Sequence, residues 1–261
     1  MKKMEIIAVK SGKGGCDKTT ATINIASADA EIYGQKVLVI DTDGRGHTTS
    51  MFSDNADDLY QVGDILLDKV KPADAIFKTK WSNIDCLGCG EEIKDDLKAL
   101  EKEIFMDPMH RLGKILEEIS AMERYDRCYI DCNQDPDLMA VNILLIADRV
   151  LIPARSDDYS LDGVAKMLEW MSQIKGSREK LLNYNVMITD KERNKESDES
   201  VSKIRDLVGD HLCETYIRHQ AKVVQHSSKQ HVKVPFVLER RLAGIAEDYI
   251  ALVKELFDYE K

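Results

Sequence analysis

The sequence predicts an α/β protein: a three-layer, doubly wound, mainly parallel sheet flanked by helices. Three observations carry that expectation. Short β-branched runs alternate with longer runs of helical spacing from one end of the chain to the other. The first strand-like run, a glycine-rich loop, a helical run and a second strand-like run form a β-loop-α-β unit. Several later runs read as buried strands, which in a parallel sheet calls for helices on both faces.

Taken in order, "MEIIAV" is the first strand, "TTATINIASADAEIYG" a helix ending on Gly34, and "KVLVID" the second strand. "NIDCLG" comes next as a strand, then "EEIKDDLKALEKEI" and "HRLGKILEEISAME" as amphipathic helices. "RCYIDC" and "RVLIPA" are buried strands, "LDGVAKMLEWMSQIKG" a helix, "YNVMIT" a strand and "DESVSKIRDLVG" a helix. A last helix spans about residues 241–257. Ligands in such sheets bind at the carboxyl ends of strands, which directs attention to the loops after Val9, Ile40 and Ile130.

The 261 residues, 43% of them hydrophobic, can bury a sizeable core, and without linker, repeat or low-complexity segment they are expected to form one domain over residues 1–261. The amino-terminal apolar run is too short for a signal core. The longest apolar stretch, "AVNILLIADRVLIPA", is broken by Asp148 and Arg149. A cytoplasmic location is therefore expected, with the six cysteines as reduced thiols. A net charge of −10 argues against nucleic-acid binding by an evenly charged surface.

The first loop, "KSGKGGCDKTT", meets the pattern G-x-x-x-x-G-K-[ST] at Gly12, Lys18 and Thr19, but Asp17 replaces the second glycine. In such a loop backbone N–H groups and the positive helix end hold phosphate, Lys18 reaches the β and γ phosphates, and Thr19 ligates magnesium. A ligand-free turn between strand and helix is the competing reading. The second loop carries Asp41 and Asp43, facing the first if the two strands are adjacent; the third carries Asp131. Carboxylates there can hold hydrated magnesium or orient a water. Any one of them alone would pass for a helix cap or a solvated turn; three in the expected order argue for a site.

On these residues the chain resembles the ParA/MinD family of deviant Walker ATPases, and within it the partition ATPases of plasmids and chromosomes. Lys13, Gly14, Gly15, Lys18, Thr19 and Thr20 match the family's KGGxGK[ST]T loop. "DTDGRGHTT" is similar to its DxDPQGxxT segment, and "YDRCYIDC" with "NILLIADRVLIPARSDDYSLDGV" to its Walker B strand and the next strand and helix. The resemblance implies a P-loop NTPase-like fold that binds ATP and Mg2+. ATP would lie on Gly12, Lys13, Gly14, Gly15, Cys16, Asp17, Lys18, Thr19 and Thr20, with Asp190 and Asn194 as neighbours of the base or sugar. Magnesium would lie on Thr19, Asp41 and Asp131. It further implies catalytic roles for Lys18, for Asp43 in hydrolysis, and for Lys13 as the signature lysine that reaches the nucleotide of the other subunit in an ATP-bound homodimer.

Departures from the pattern cluster around the same place: Asp17 for glycine, Gly44 and Arg45 for proline and glutamine, Asn133 and Gln134 for paired prolines. A carboxylate about 4 Å from a phosphate charge costs on the order of 4 kcal/mol at an effective dielectric near 20, so affinity falls roughly a thousandfold unless Asp17 turns away. The alternative to a working partition ATPase is thus a nucleotide-impaired binding or regulatory protein.

Partners are implied too. Residues 215–241 gather Arg218, Lys222, Lys229, Lys233, Arg240 and Arg241 against the single acid Glu239; they read as a solvated basic face or, by resemblance, as a surface for nonspecific DNA on the nucleoid. A ParB-like centromere-binding activator is implied as well. A MinD-like membrane role is disfavoured, because Glu255, Asp258 and Glu260 make the last helix acidic and suited to core packing. "CLGC", Cys86 and Cys89, has metal-ligand spacing but supplies two ligands only, and His226 and His231 read as surface residues.

Overall fold

The computed structural model describes residues 3–55, 58–103, 105–174, 176, 183–219, 235–239 and 243–259. Its strands are β1 (Glu5–Val9), β2 (Val37–Asp41), β3 (Phe77–Lys78), β4 (Ile84–Leu87), β5 (Arg127–Asp131), β6 (Arg149–Arg155) and β7 (Asn183–Thr189). They form a seven-stranded sheet in the order β3-β4-β2-β5-β1-β6-β7, parallel except for β3. The expected doubly wound, mainly parallel architecture is what the chain adopts.

Alternation along each strand divides the core in two. Ile6, Ala8, Leu38, Ile40, Cys128, Ile130, Val150 and Ile152 face one layer of helices. That layer comprises α3 (Val62–Leu66), α5 (Ile93–Lys102), α6 (Arg111–Ala121), α7 (Leu138–Ile146), α8 (Asp158–Ile174) and α9 (Lys195–Val208). Ile7, Val9, Val37, Val39, Tyr129, Leu151 and Met187 face the other, built on α1 (Lys18–Glu31) and the final helix (Ala243–Phe257). Each large apolar side chain so buried contributes about 1.5–3 kcal/mol. The two short helices α2 (His47–Phe52) and α4 (Pro72–Ala75) complete the set.

The final helix is a core element, as its spacing suggests: Ile245, Tyr249, Leu252, Val253 and Leu256 are buried, and the helix packs on α1. Its end is pinned by a polar cluster. Buried Asp29 of α1 accepts from Arg127 at 2.8 Å, from the Tyr129 hydroxyl at 2.9 Å and from the Tyr259 hydroxyl at 2.6 Å. Among the described residues no helix is long and apolar enough to cross a membrane.

The structure departs from the sequence-based expectation in three respects. The first and second strands are not adjacent, because β5 lies between them, in register with both: Asp131 is level with Val9 on one side and with Asp41 on the other. A helix, α7, occupies the start of the long apolar run. Helix α9 begins earlier than expected, because the Asn194 side chain caps it by accepting from Ser197 N at 2.8 Å.

Candidate functional site

The parallel order places the loops after β1, β2, β5, β6 and β7 at one edge of the sheet. Between β1 and α1 the chain turns through Gly15 at φ 72° and Asp17 at φ 56°, and the Asp17 side chain does not cap α1. The first turn of α1 holds no acid, so its N–H groups and positive dipole end face the loop. The loop is tight against α8 at Gly12, where a Cβ would lie 2.5 Å from the Gly163 carbonyl oxygen, and open at Gly15, where a Cβ would meet nothing within 4 Å. Within it Cys16 is buried, and Thr20 is half-buried in the first turn of α1.

Lys18, nearly buried, opens the helix and forms no ion pair within 4 Å among the described residues. Thr19 Oγ1 donates to Asp131 Oδ2 at 2.8 Å, and Thr48 Oγ1 to the same oxygen at 2.7 Å. Burial pushes the Asp131 carboxyl up, against these hydroxyls and Lys18. Asp41, beside it in register, accepts from Thr49 N and Oγ1 at 2.9 and 2.8 Å. Burial first, and then the Asp131 charge, push Asp41 up to about 7. Two buried carboxylates with a threonine hydroxyl are a hard oxygen donor set that gains from a divalent cation, so Thr19, Asp131 and Asp41 fit magnesium in their chemistry.

Asp43 lies two residues on, at the start of the turn, and is held by its neighbour. Arg45 Nε donates to Asp43 Oδ1 at 3.0 Å and Nη2 to Oδ2 at 2.6 Å, while Arg45 N donates to Oδ1 at 3.1 Å. Burial pushes the Asp43 carboxyl up, but these bonds and the Arg45 charge outweigh it and hold the carboxyl below its usual range. Lys13 Nζ lies 3.6 Å from Asp157 Oδ1 and 5.0 Å from the centre of the exposed Tyr159 ring.

Asp17 has its charge partners at the ends of β6 and β7. Burial raises its carboxyl, the Arg155 guanidinium opposes that, Asp190 adds to it, and the Thr189 hydroxyl favours the charged form. Arg155 is paired in turn with Asp190, whose Oδ1 lies 2.6 Å from His219 Nδ1. Asp190 and Asn194 line one groove with Arg155, Ser156 and Asp157, although the Asn194 side chain is engaged in capping α9.

Of the basic segment, only Arg218 is within the described residues; Lys222, Lys229, Lys233, Arg240 and Arg241 lie outside them, as do His226 and His231. Arg218 Nε and Nη2 donate to Asp248 Oδ2 and Oδ1 at 2.7 and 2.6 Å. Cys86 and Cys89 are buried, and burial followed by the Asp41 charge pushes both thiols well above their usual range.

Several polar residues of the site escape a reading of the sequence. Thr48 and Thr49 reach Asp131 and Asp41 from α2; Arg155 answers Asp17; and Lys10, fully buried, donates from Nζ to the carbonyls of Asn133 and Asp135 at 3.0 and 3.1 Å. A lysine directly after an apolar strand is the one visible signal.

Three comparisons bear on this geometry. The family model described as the AAA domain matches residues 4–188. The chain is 27% identical to the chromosome partitioning protein ParA of Caulobacter vibrioides over 99% of its own length and 96% of that protein's. It is 29% identical to the sporulation initiation inhibitor protein Soj of Bacillus subtilis, over 97% and 98%. Its fold superposes on a solved ATP complex of a Cyanothece McdA variant with a TM-score of 0.83, 18% identity and coverage of 100% and 99% of the two chains.

Proposed function

Because the chain belongs to the AAA domain family matched over residues 4–188, and within it to the ParA/MinD ATPases close to the partition proteins, we propose that it is a nucleotide-driven DNA partition switch acting as a single domain over residues 1–261. One observation carries the reading. Buried Asp131 accepts from Thr19 Oγ1 at 2.8 Å and stands level with Asp41, while Lys18 opens the helix behind a glycine loop.

Bound ATP with Mg2+ would supply the phosphoanhydride whose hydrolysis resets the switch. Backbone groups from Gly12 to Thr20 wrap the phosphates, and Lys18 neutralises the β and γ charges. Thr19, Asp131 and Asp41 would hold the cation, and Asp43 would orient the attacking water. Lys13 leaves Asp157 and Tyr159 to reach the nucleotide of the second subunit in an ATP-bound homodimer. Asp190 and Asn194 border the sugar or base. The dimer holds nonspecific DNA through Lys222, Lys229, Lys233, Arg240 and Arg241, with Arg218 contributing less because Asp248 already neutralises it. A centromere-binding activator triggers hydrolysis, and the switch works on the nucleoid in the cytoplasm. The final helix has its apolar side buried on α1, which favours DNA over a lipid surface.

A second reading has its own observation: Arg45 occupies both oxygens of Asp43, which favours slow turnover and a binding role. Measuring ATP turnover with and without DNA tests both. A working switch hydrolyses ATP faster with DNA and activator, and its salt-sensitive DNA retention disappears in the Lys222/Lys229/Lys233 triple alanine variant. Nucleotide-dependent DNA binding without turnover supports the second reading. DNA retention that the triple variant preserves contradicts the assigned surface.

A further inference from the structure

We propose that Arg45 is a positioning residue that masks Asp43, and that turnover waits on its guanidinium swinging away from that carboxylate; this rests on the nucleotide reading of the site. The turn that carries both residues has a fixed backbone. Gly46 N donates to the Asp43 carbonyl oxygen at 2.8 Å, and Gly46 takes φ 63° where a Cβ would lie 2.9 Å from the Cys89 carbonyl oxygen. A Cβ on Gly44 would lie 3.3 Å from the Gly90 carbonyl oxygen. A turn that needs glycine at Gly46 and lies against the backbone after β4 at two points has little room to shift.

That backbone, and not Arg45, sets the place of Asp43. Asp43 N donates to Asp41 Oδ1 at 3.0 Å, which ties the turn to one of the paired buried carboxylates. Asp41 is held in turn by Thr49 N and Oγ1. The Asp43 side chain is 11% exposed, whereas that of Arg45 is 61% exposed, so the guanidinium is the partner free to move.

An ionised carboxylate offers about four acceptor positions. Asp43 Oδ1 accepts from Arg45 N at 3.1 Å and from Nε at 3.0 Å, and Oδ2 accepts from Nη2 at 2.6 Å and from Nε at 3.2 Å. Little is left for a water. Withdrawing the guanidinium opens both oxygens while Asp43 keeps its backbone bond from Arg45 N and the nearby charge of Lys18. The direction of the effect follows: replacing Arg45 speeds hydrolysis, whereas replacing a residue that places Asp43 would slow it. Slow turnover then belongs to one removable side chain and not to the site as a whole.

The test uses the full chain and compares ADP affinity with steady-state ATP turnover in Mg2+ for wild type, Arg45→Ala and the double variant Arg45→Ala/Asp43→Asn. For Arg45→Ala the expected result is ADP affinity within about twofold of wild type, KM little changed and kcat higher by about three- to tenfold, the range for a forked ion pair whose cation is largely exposed. The gain vanishes in the double variant, which a merely structural role of Arg45 would not produce. If the alanine variant loses its cooperative melt, Arg45→Gln, which removes the charge and keeps most of the length, is read in the same way. Equal or lower kcat in a variant that melts cooperatively overturns the proposal, as does a gain that survives Asp43→Asn. A wild type that binds neither ADP nor ATP overturns the nucleotide reading and this proposal together; a wild type that turns over ATP beside an Arg45→Ala variant no faster overturns this proposal alone.

Discussion

A carboxylate in a phosphate loop repels phosphate only to the extent that it faces it unbalanced. Asp17 takes a left-handed backbone at φ 56°, a conformation aspartate tolerates better than most residues, and its charge is answered by Arg155 and Thr189. Burial still raises the carboxyl overall and Asp190 adds to it, so the loss predicted is smaller than the thousandfold of an uncompensated acid but is not abolished. Replacing Asp17 by Gly should raise ATP affinity by no more than about tenfold, or about 1.4 kcal/mol. Arg155→Ala, in contrast, should weaken ATP binding in the natural chain and leave the Asp17→Gly variant nearly unaffected. The two substitutions couple because the residues share one charge network, with a coupling of about 0.5–3 kcal/mol by titration calorimetry. Additive effects would show that Arg155 does not balance Asp17. None of this is legible in the sequence, since Arg155 and Asp190 meet Asp17 only through the placement of β6 and β7.

At the scale of elements, the caps carry measurable weight. Asp137 holds both the first turn of α7 and Asn133, so Asp137→Ala should cost about 1 kcal/mol in urea unfolding and loosen the loop that carries Gln134. A variant as stable as wild type would show that the cap is dispensable. The elements that sequence periodicity identifies are those with an apolar stripe, such as α5 and α6, or a buried strand. Helix α7, "LMAVNILLI", has no polar face to set a period, because its partly exposed positions Leu138, Val141, Leu145 and Ile146 are as apolar as its buried ones, and Asn142 is enclosed by Pro108, Leu138 and Leu112. Helices α2, α3 and α4, of six, five and four residues, are too short to show one. Thr49 falls on the closing T of the DxDPQGxxT match, but that Thr48 and Thr49 bind the paired carboxylates is visible only in the structure.

For the whole molecule, the strand order decides what the site can be. The three motif loops are legible because each succeeds an apolar strand, but their arrangement is not: β5 inserts between β1 and β2, and so sets Asp131 against Thr19 on one side and Asp41 on the other. The same order puts β6 and β7 beside β1, which brings Arg155 and Asp190 to Asp17. The final helix on α1 closes the opposite face. An edge built in this way is a phosphate and cation site only if Lys18 supplies the positive charge. The most direct measurement is titration calorimetry of ATP with Mg2+ into the natural chain and into Lys18→Ala. Binding of one nucleotide per chain, weakened about 10- to 100-fold by the substitution as expected for losing a charged contact of about 1.5–3 kcal/mol, is the predicted result. No binding by the natural chain, or equal binding by both, would contradict it.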